Sequence, residues 1–199
     1  MLGSDHSVAE ASEALVRKGK QLWATCAACH GAKGEGNAMM KAPPLLSKDG
    51  WYLKSQLKKF KEGIRGKHPK DLTGMQMQSM SMVLANEAAI DAVIAFLKEQ
   101  PVPKPKHKLK GDLELGKTLY MSCQACHGSK GEGKKVLNSP ALSHLPDWYV
   151  VAQLKKFKMN IRGAHKSDIT GRQMVPMAKM LKDEKAMKDV AAYIATLGE

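Results

Sequence analysis

Cys26-Ala27-Ala28-Cys29-His30-Gly31 returns 97 residues later as Cys123-Gln124-Ala125-Cys126-His127-Gly128. All 4 cysteines of the chain fall in these two segments, so they are not scattered as the disulfide partners of a small secreted scaffold would be. A Cys-x-x-Cys pair with His directly after it has the spacing of covalent haem attachment. Two thiols add across the two vinyl groups of one porphyrin, and the adjacent imidazole then meets the iron from one face. The spacing predicts two covalently bound haem c groups, one on Cys26 and Cys29, the other on Cys123 and Cys126. His30 and His127 are the proximal iron ligands in this reading. A thioredoxin-like redox pair would not require the histidine, and two zinc knuckles would not require the same Gly-rich tail. Thiol-based catalysis is excluded as well, because every sulfur is consumed as a thioether.

The same shift superposes the chain on itself without a gap. Between Gly19 and Leu97, 37 of 79 positions match their counterparts, among them Trp51-Tyr52 with Trp148-Tyr149. Such self-similarity is the signature of a duplicated unit. It predicts two tandem domains, at 8–100 and 111–199. Between them, the stretch from Pro101 to Lys110 alternates proline with lysine, which predicts an extended, fairly stiff linker over 101–110.

Apolar periodicity predicts helices from Ala11 to Cys26 and from Leu113 to Cys123, each running into a haem motif. It predicts a second pair from Trp51 to Gly63 and from Trp148 to Asn160. Ile90, Val93, Ile94 and Leu97, and Met187, Val190, Ala191 and Ile194, mark the final helix of each copy. Strand signals are absent, so the fold class is all-α. Gly31 to Gly36 and Gly128 to Gly133 read as loops in which glycine lets the backbone approach a porphyrin. Phosphate binding there is disfavoured, because neither loop follows a strand.

The 199 residues are 43% apolar and 26% charged, which is globular, but only 5% are aromatic. Domains under about 100 residues with so few large side chains are marginal. A covalently held porphyrin supplies the missing apolar core, at about 2.5 kcal/mol for each ~100 Å² removed from water. The chain without it is expected to be largely unfolded. No apolar run approaches the roughly 20 residues of a membrane span, and the first residues lack the apolar centre of a secretory signal. If the protein is exported, its signal has already been removed.

The repeat also filters the 13 methionines for a second axial ligand. Met75, Met82, Met39 and Met40 face Arg172, Lys179, Val136 and Leu137 in the other copy, which makes them packing or surface residues. Met77 with Met174 and Met80 with Met177 remain, and spacing alone leaves both pairs open. A thioether favours ferrous iron and raises the potential, which suits an electron carrier. His68 and His165, also shared, are the rival ligands, or else serve packing and hydrogen bonding. His6, His107 and His144 are unshared and expected to face solvent. Trp51, Arg65, Trp148 and Arg162 are candidates to hold the haem propionates, through indole N–H and bidentate guanidinium donors; the alternative is that the tryptophans are core and the arginines solvated.

The order Cys-x-x-Cys-His, then Pro-x-Leu (Pro43 to Leu45, Pro140 to Leu142), then Met before a last helix resembles class I cytochromes c. The duplication, with Tyr-x-x-x-Gln-Leu-x-x-Phe and Arg-Gly in each half, resembles the dihaem cytochrome c4 family over nearly the whole chain. The resemblance implies two class I cytochrome c domains joined by the Pro/Lys-rich linker. In that family the iron-binding Met commonly lies seven residues before the Leu preceding the last helix, which implies Met77 and Met174. It also implies that Pro43 and Pro140 fix a backbone carbonyl accepting from the proximal histidine.

The implied activity is electron transfer rather than catalysis, one electron per haem. The donor would be a respiratory complex that oxidises quinol, the acceptor an acidic-faced terminal oxidase or reductase. A haem enzyme, such as a dihaem peroxidase or a thiosulfate-oxidising cytochrome, would need one five-coordinate or labile iron, and the near symmetry argues against it. The periplasm is implied, because covalent haem attachment in bacteria takes place outside the cytoplasmic membrane. The formal charge of +13 is spread over both halves and concentrated in the linker. It fits steering towards an acidic redox partner. Loose association with anionic lipid is a secondary expectation, nucleic-acid binding is not expected, and the chain is expected to be a monomer.

Overall fold

The computed structural model describes residues 4–45, 49–102 and 107–197. Among them are nine α-helices: α1 (Ser4–His30), α2 (Gly50–Lys61), α3 (Leu72–Ser81), α4 (Glu87–Lys98), α5 (Leu113–Tyr120), α6 (Gln124–His127), α7 (Asp147–Lys158), α8 (Ile169–Met180) and α9 (Glu184–Thr196). No strand occurs among the described residues. Two isolated bridges, Asn37 with Ala42 and Lys134 with Ser139, close equivalent turns in the two copies. Residues 103–106 of the expected linker lie outside the described residues. Beyond them, Lys108 and Leu109 donate their backbone N–H groups to the buried Asp147 carboxylate, at 2.6 and 2.7 Å.

The last helices form as their periodicity predicts. In α4, Ile90, Val93, Ile94 and Leu97 are all buried; in α9, Met187, Val190, Ala191 and Ile194 are. Each begins at a side-chain cap: Asn86 accepts from the N–H of Ala89 at 2.9 Å, and Asp183 from that of Ala186 at 2.9 Å. Each then packs against the helix that leads to a haem motif, α4 on α1 and α9 on α5. Glycine permits the close crossing. A Cβ on Gly19 would run into the carbonyl of Ala92, and one on Gly116 into the carbonyl of Asp189.

The chain divides into two compact units, Met1–Leu57 with Met80–Pro103, and Lys58–Ser79 with Lys104–Glu199. Trp23, Leu84, Ile90, Val93 and Phe96 are central to the core of the first. Tyr120, Val150, Leu181, Met187, Val190 and Ile194 are central to that of the second.

Three departures from the sequence expectations have physical causes. Helix α1 starts earlier than Ala11 and runs unbroken through His30, whereas its counterpart stops at Tyr120 and resumes as α6. The break is a turn in which the N–H of Cys123 bonds the carbonyl of Tyr120 at 2.8 Å. Helices α3 and α8 were not anticipated. Helix α3 has little apolar contrast along its length, and α8 contains Pro176, which reads as a helix breaker. Their start was nevertheless legible in Asp-x-Thr-Gly: Asp71 accepts from the N–H of Gly74 at 3.0 Å and Asp168 from that of Gly171 at 3.1 Å. Finally, His107 and His144 are half-buried rather than solvent-facing. The side chain of His6 lies outside the described ones.

Candidate haem sites

Each proximal histidine closes the helix that carries its cysteines. His30 ends α1 and His127 ends α6, with side chains only 5% and 7% exposed. Nδ1 of His30 lies 2.8 Å from the carbonyl oxygen of Pro43, and Nδ1 of His127 lies 2.8 Å from that of Pro140. A carbonyl only accepts, so Nδ1 carries the proton and the lone pair is left on Nε2. Burial holds both imidazoles below their usual pKa, against the upward pull of the carbonyl bond. Neutral imidazole is the form that binds a metal.

The loop after each histidine is pinned to it. Gly36 N–H donates to the His30 carbonyl at 2.8 Å and Gly133 N–H to that of His127 at 2.7 Å. Leu45 and Leu142, just past the key prolines, reach back to the carbonyls of Gly34 and Gly131 at 2.8 and 2.7 Å. Gly31 and Gly128 turn the chain with φ of 83° and 85°, where a Cβ would run into the Glu35 or Glu132 carboxylate.

Sequence reasoning missed the side chain that clamps this turn. Trp23 donates its indole N–H to the carbonyls of Ala32 at 2.9 Å and Gly31 at 3.2 Å, and Tyr120 donates its hydroxyl to that of Gly128 at 2.7 Å. The two positions correspond in the repeat but differ in identity. Identity between the copies therefore does not mark them, although both are aromatic.

Among the described residues no disulfide joins any of the four cysteines. Cys26 and Cys123 are half-buried, and burial pushes both thiols above their usual pKa. Two thiols three residues apart on a helical turn, followed by an imidazole whose Nδ1 is already engaged, form a donor set that fits covalent haem. A thiolate nucleophile would need the opposite shift.

The remaining candidates divide. Met77 on α3 and Met174 on α8 are half-buried; Met177 is half-buried too, while Met80 is exposed. Met39, Met75 and Met82 are exposed, as their lack of a methionine partner in the repeat implies. His68 and His165 accept at Nδ1 from the N–H groups of Lys70 and Ser167, at 3.1 and 3.2 Å, in the turns that lead into α3 and α8.

Trp51 and Trp148 are half-buried, and Trp51 directs its indole N–H at the Asp49 carboxylate, 3.3 Å away. Arg65 and Arg162 are buried. Each lies over the phenylalanine five residues before it, at 4.5 Å for Phe60 and 4.6 Å for Phe157. Both guanidinium groups, within the second unit, donate to the same oxygen, Oε1 of Gln153, at 3.1 and 2.8 Å. Gln153 is the glutamine of the Tyr-x-x-x-Gln-Leu-x-x-Phe pattern in the second copy, where nothing in the sequence marks it as an acceptor for both arginines.

The cytochrome c sequence profile matches residues 16–101 and again 113–198. The chain belongs to the cytochrome c family. It is a tandem cytochrome c of two domains, and such domains carry covalent haem c. The cytochrome is 29% identical over 188 residues to a thiosulfate dehydrogenase electron acceptor of Stutzerimonas stutzeri (strain A1501), covering 87% of this chain and 79% of that one. It resembles the structure of the thiosulfate dehydrogenase TsdBA from Marichromatium purpuratum, with a TM-score of 0.72 and 26% identity, over 91% of this chain and only 40% of that one. It also has the fold of reduced cytochrome c4 from Pseudomonas stutzeri, with a TM-score of 0.66 and 23% identity over 90% and 96% of the two chains. This cytochrome belongs to a dihaem cytochrome c electron-carrier family. Among the described residues, no helix is long and apolar enough to cross a membrane.

Proposed function

We propose that this cytochrome is a periplasmic shuttle that takes single electrons from a dehydrogenase or quinol-oxidising donor and delivers them to an acidic-faced oxidase or reductase. One observation carries the reading: both proximal histidines are held by the same bond at the same 2.8 Å. Equal construction of the two sites favours two carriers over one carrier and one catalytic centre. Among donors, a thiosulfate-oxidising enzyme gains support from the relative described as an electron acceptor of thiosulfate dehydrogenase.

Bound haem would supply a one-electron couple at each site. The protein residues do the rest. His30 and His127 present Nε2 in a fixed tautomer, and Met77 and Met174 would each offer a thioether to the haem of the same repeat. Arg65 and Arg162 would offer guanidinium donors to propionate, and Trp51 and Trp148 indole N–H donors. Two protein donors held in place at each site would keep the structural cost of gaining or losing an electron low.

Carbon monoxide binding to the reduced protein at neutral pH tests the assignment. Two carriers should show no rapid binding, whereas stoichiometric binding at one haem would support an enzyme. Replacing Met77 or Met174 should remove the ferric iron–thioether absorption band of that domain; persistence of both bands would transfer the role to Met80 and Met177 or to histidine. Electron transfer to an acidic partner should slow markedly with added salt, and a flat ionic-strength profile would refute steering.

A further inference from the structure

Within the second unit, two lysines cross between copies of the repeat. Lys156 Nζ lies 2.6 Å from Asp71 Oδ1 and 2.6 Å from Thr73 Oγ1. Lys59 Nζ lies 2.6 Å from Asp168 Oδ1 and 2.8 Å from Thr170 Oγ1. Lys59 and Lys156 are equivalent in the repeat, as are Asp71 and Asp168, so the same pair is made twice in opposite directions. These are not surface contacts. Both carboxylates are 2% exposed, and the lysine side chains are 15% and 18% exposed.

Each aspartate has a second task. Asp71 caps α3 through the N–H of Gly74, and Asp168 caps α8 through that of Gly171. A lysine of one repeat therefore neutralises the carboxylate that starts the methionine-bearing helix of the other. Removing one member of a buried pair leaves an uncompensated charge, which is far more disruptive than losing a surface ion pair. The surroundings sharpen the demand. Burial pushes the Lys156 ammonium below its usual pKa, Asp71 restores it in part, and Arg65 and Arg162 push it down again.

We propose that Lys156 and Lys59 are crossed positioning residues: Lys156 sets the placement of α3 and hence of Met77, and Lys59 that of α8 and hence of Met174. Each axial methionine is thereby held by a cation from the opposite repeat. The consequence for iron ligation rests on Met77 and Met174 being the axial ligands; the consequence for the helices does not.

The test uses the holoprotein with Lys156→Met, Lys59→Met, the conservative Lys156→Arg, and the milder Thr73→Val, which removes one of the two oxygens around Lys156. Two readouts are taken together. In amide hydrogen exchange, Lys156→Met should lower protection about tenfold or more over 72–81 while leaving 169–180 within about twofold, and Lys59→Met should do the reverse. In proton NMR of the reduced protein, the resonances of the iron-bound methionine that vanish in Met77→Ala should shift in Lys156→Met, and those that vanish in Met174→Ala should stay. Thr73→Val should show the same pattern at smaller amplitude, and Lys156→Arg should restore it. Loss of protection in the variant's own repeat, in both helices equally, or in neither would overturn the proposal. If Met77→Ala and Met174→Ala leave the bound-methionine resonances intact, the ligand assignment fails by itself, and the exchange data still decide the crossed placement.

Discussion

Replacing Tyr120 by Phe isolates a single hydrogen bond at the turn behind His127. The ring is buried at 1% exposure, so the substitution keeps its packing and removes only the hydroxyl. The size of the effect depends on what becomes of the Gly128 carbonyl. That oxygen also accepts from the N–H of Gly131 at 3.2 Å, so it is not left without a donor. The penalty is therefore that of a net hydrogen bond, about 1 kcal/mol, and not the larger cost of an orphaned buried carbonyl. For a domain of this size, 1 kcal/mol corresponds to a shift of about 4–8 °C in midpoint. Guanidinium unfolding of the holoprotein, followed at the Soret band and by far-UV circular dichroism, measures it.

The pH dependence gives a second check on the same variant. Burial raises the Tyr120 phenol well above the ordinary tyrosine pKa. The folded protein thus holds this proton more tightly than the unfolded chain, and the associated stability is complete below about pH 10 and lost as pH rises further. The advantage of the native protein over Tyr120→Phe should shrink on that alkaline side. A midpoint identical to that of the native protein at pH 7, or a loss beyond about 3 kcal/mol, would refute the reasoning.

Asp189 is expected to act in the acid range. Burial pushes its carboxyl up, but the Lys185 ammonium and the N–H of Asp112 outweigh this and hold it below its usual value. Its contribution is therefore complete above the ordinary carboxylate pKa and lost as pH falls through the lower folded one. Asp189→Asn should destabilise at pH 7, with the gap to the native protein closing below about pH 4. Gly116→Ala gains about 1 kcal/mol of helix propensity but drives a Cβ into the Asp189 carbonyl, so urea unfolding should show a net loss. Finally, protein expressed without haem should lack a cooperative thermal transition, since the porphyrin supplies much of the core; a compact, cooperative apoprotein would count against that view.

What was legible in the sequence was whatever two similar copies make visible. The cysteines and the histidines that follow them are identical in both, and the stripe of α4 and α9 keeps its period, so anchors and final helices could be read directly. Trp23 and Tyr120 were not, because an indole and a phenol fill the same role with different atoms. Helix α3 escaped because it lacks an amphipathic stripe, and α8 because Pro176 sits inside its pattern. Gln153 escaped for a related reason: both arginines use its amide oxygen, a role that sequence identity with Gln56 does not reveal.

The reciprocal lysine–aspartate pairs bear on how such a chain arises. A surface in which residue i meets j while j's counterpart meets i's is the signature of an isologous dimer, in which one patch is complementary to itself. Each repeat here carries both members, a lysine and an aspartate, and so contains everything needed to bind a second copy of itself. Tandem duplication of an ancestor with that property would turn a concentration-dependent encounter into an intramolecular one, at the effective concentration set by a short tether. Once the copies were joined, their sequences could diverge, while the haem motifs and the positions where each needs the charge of the other stayed the same.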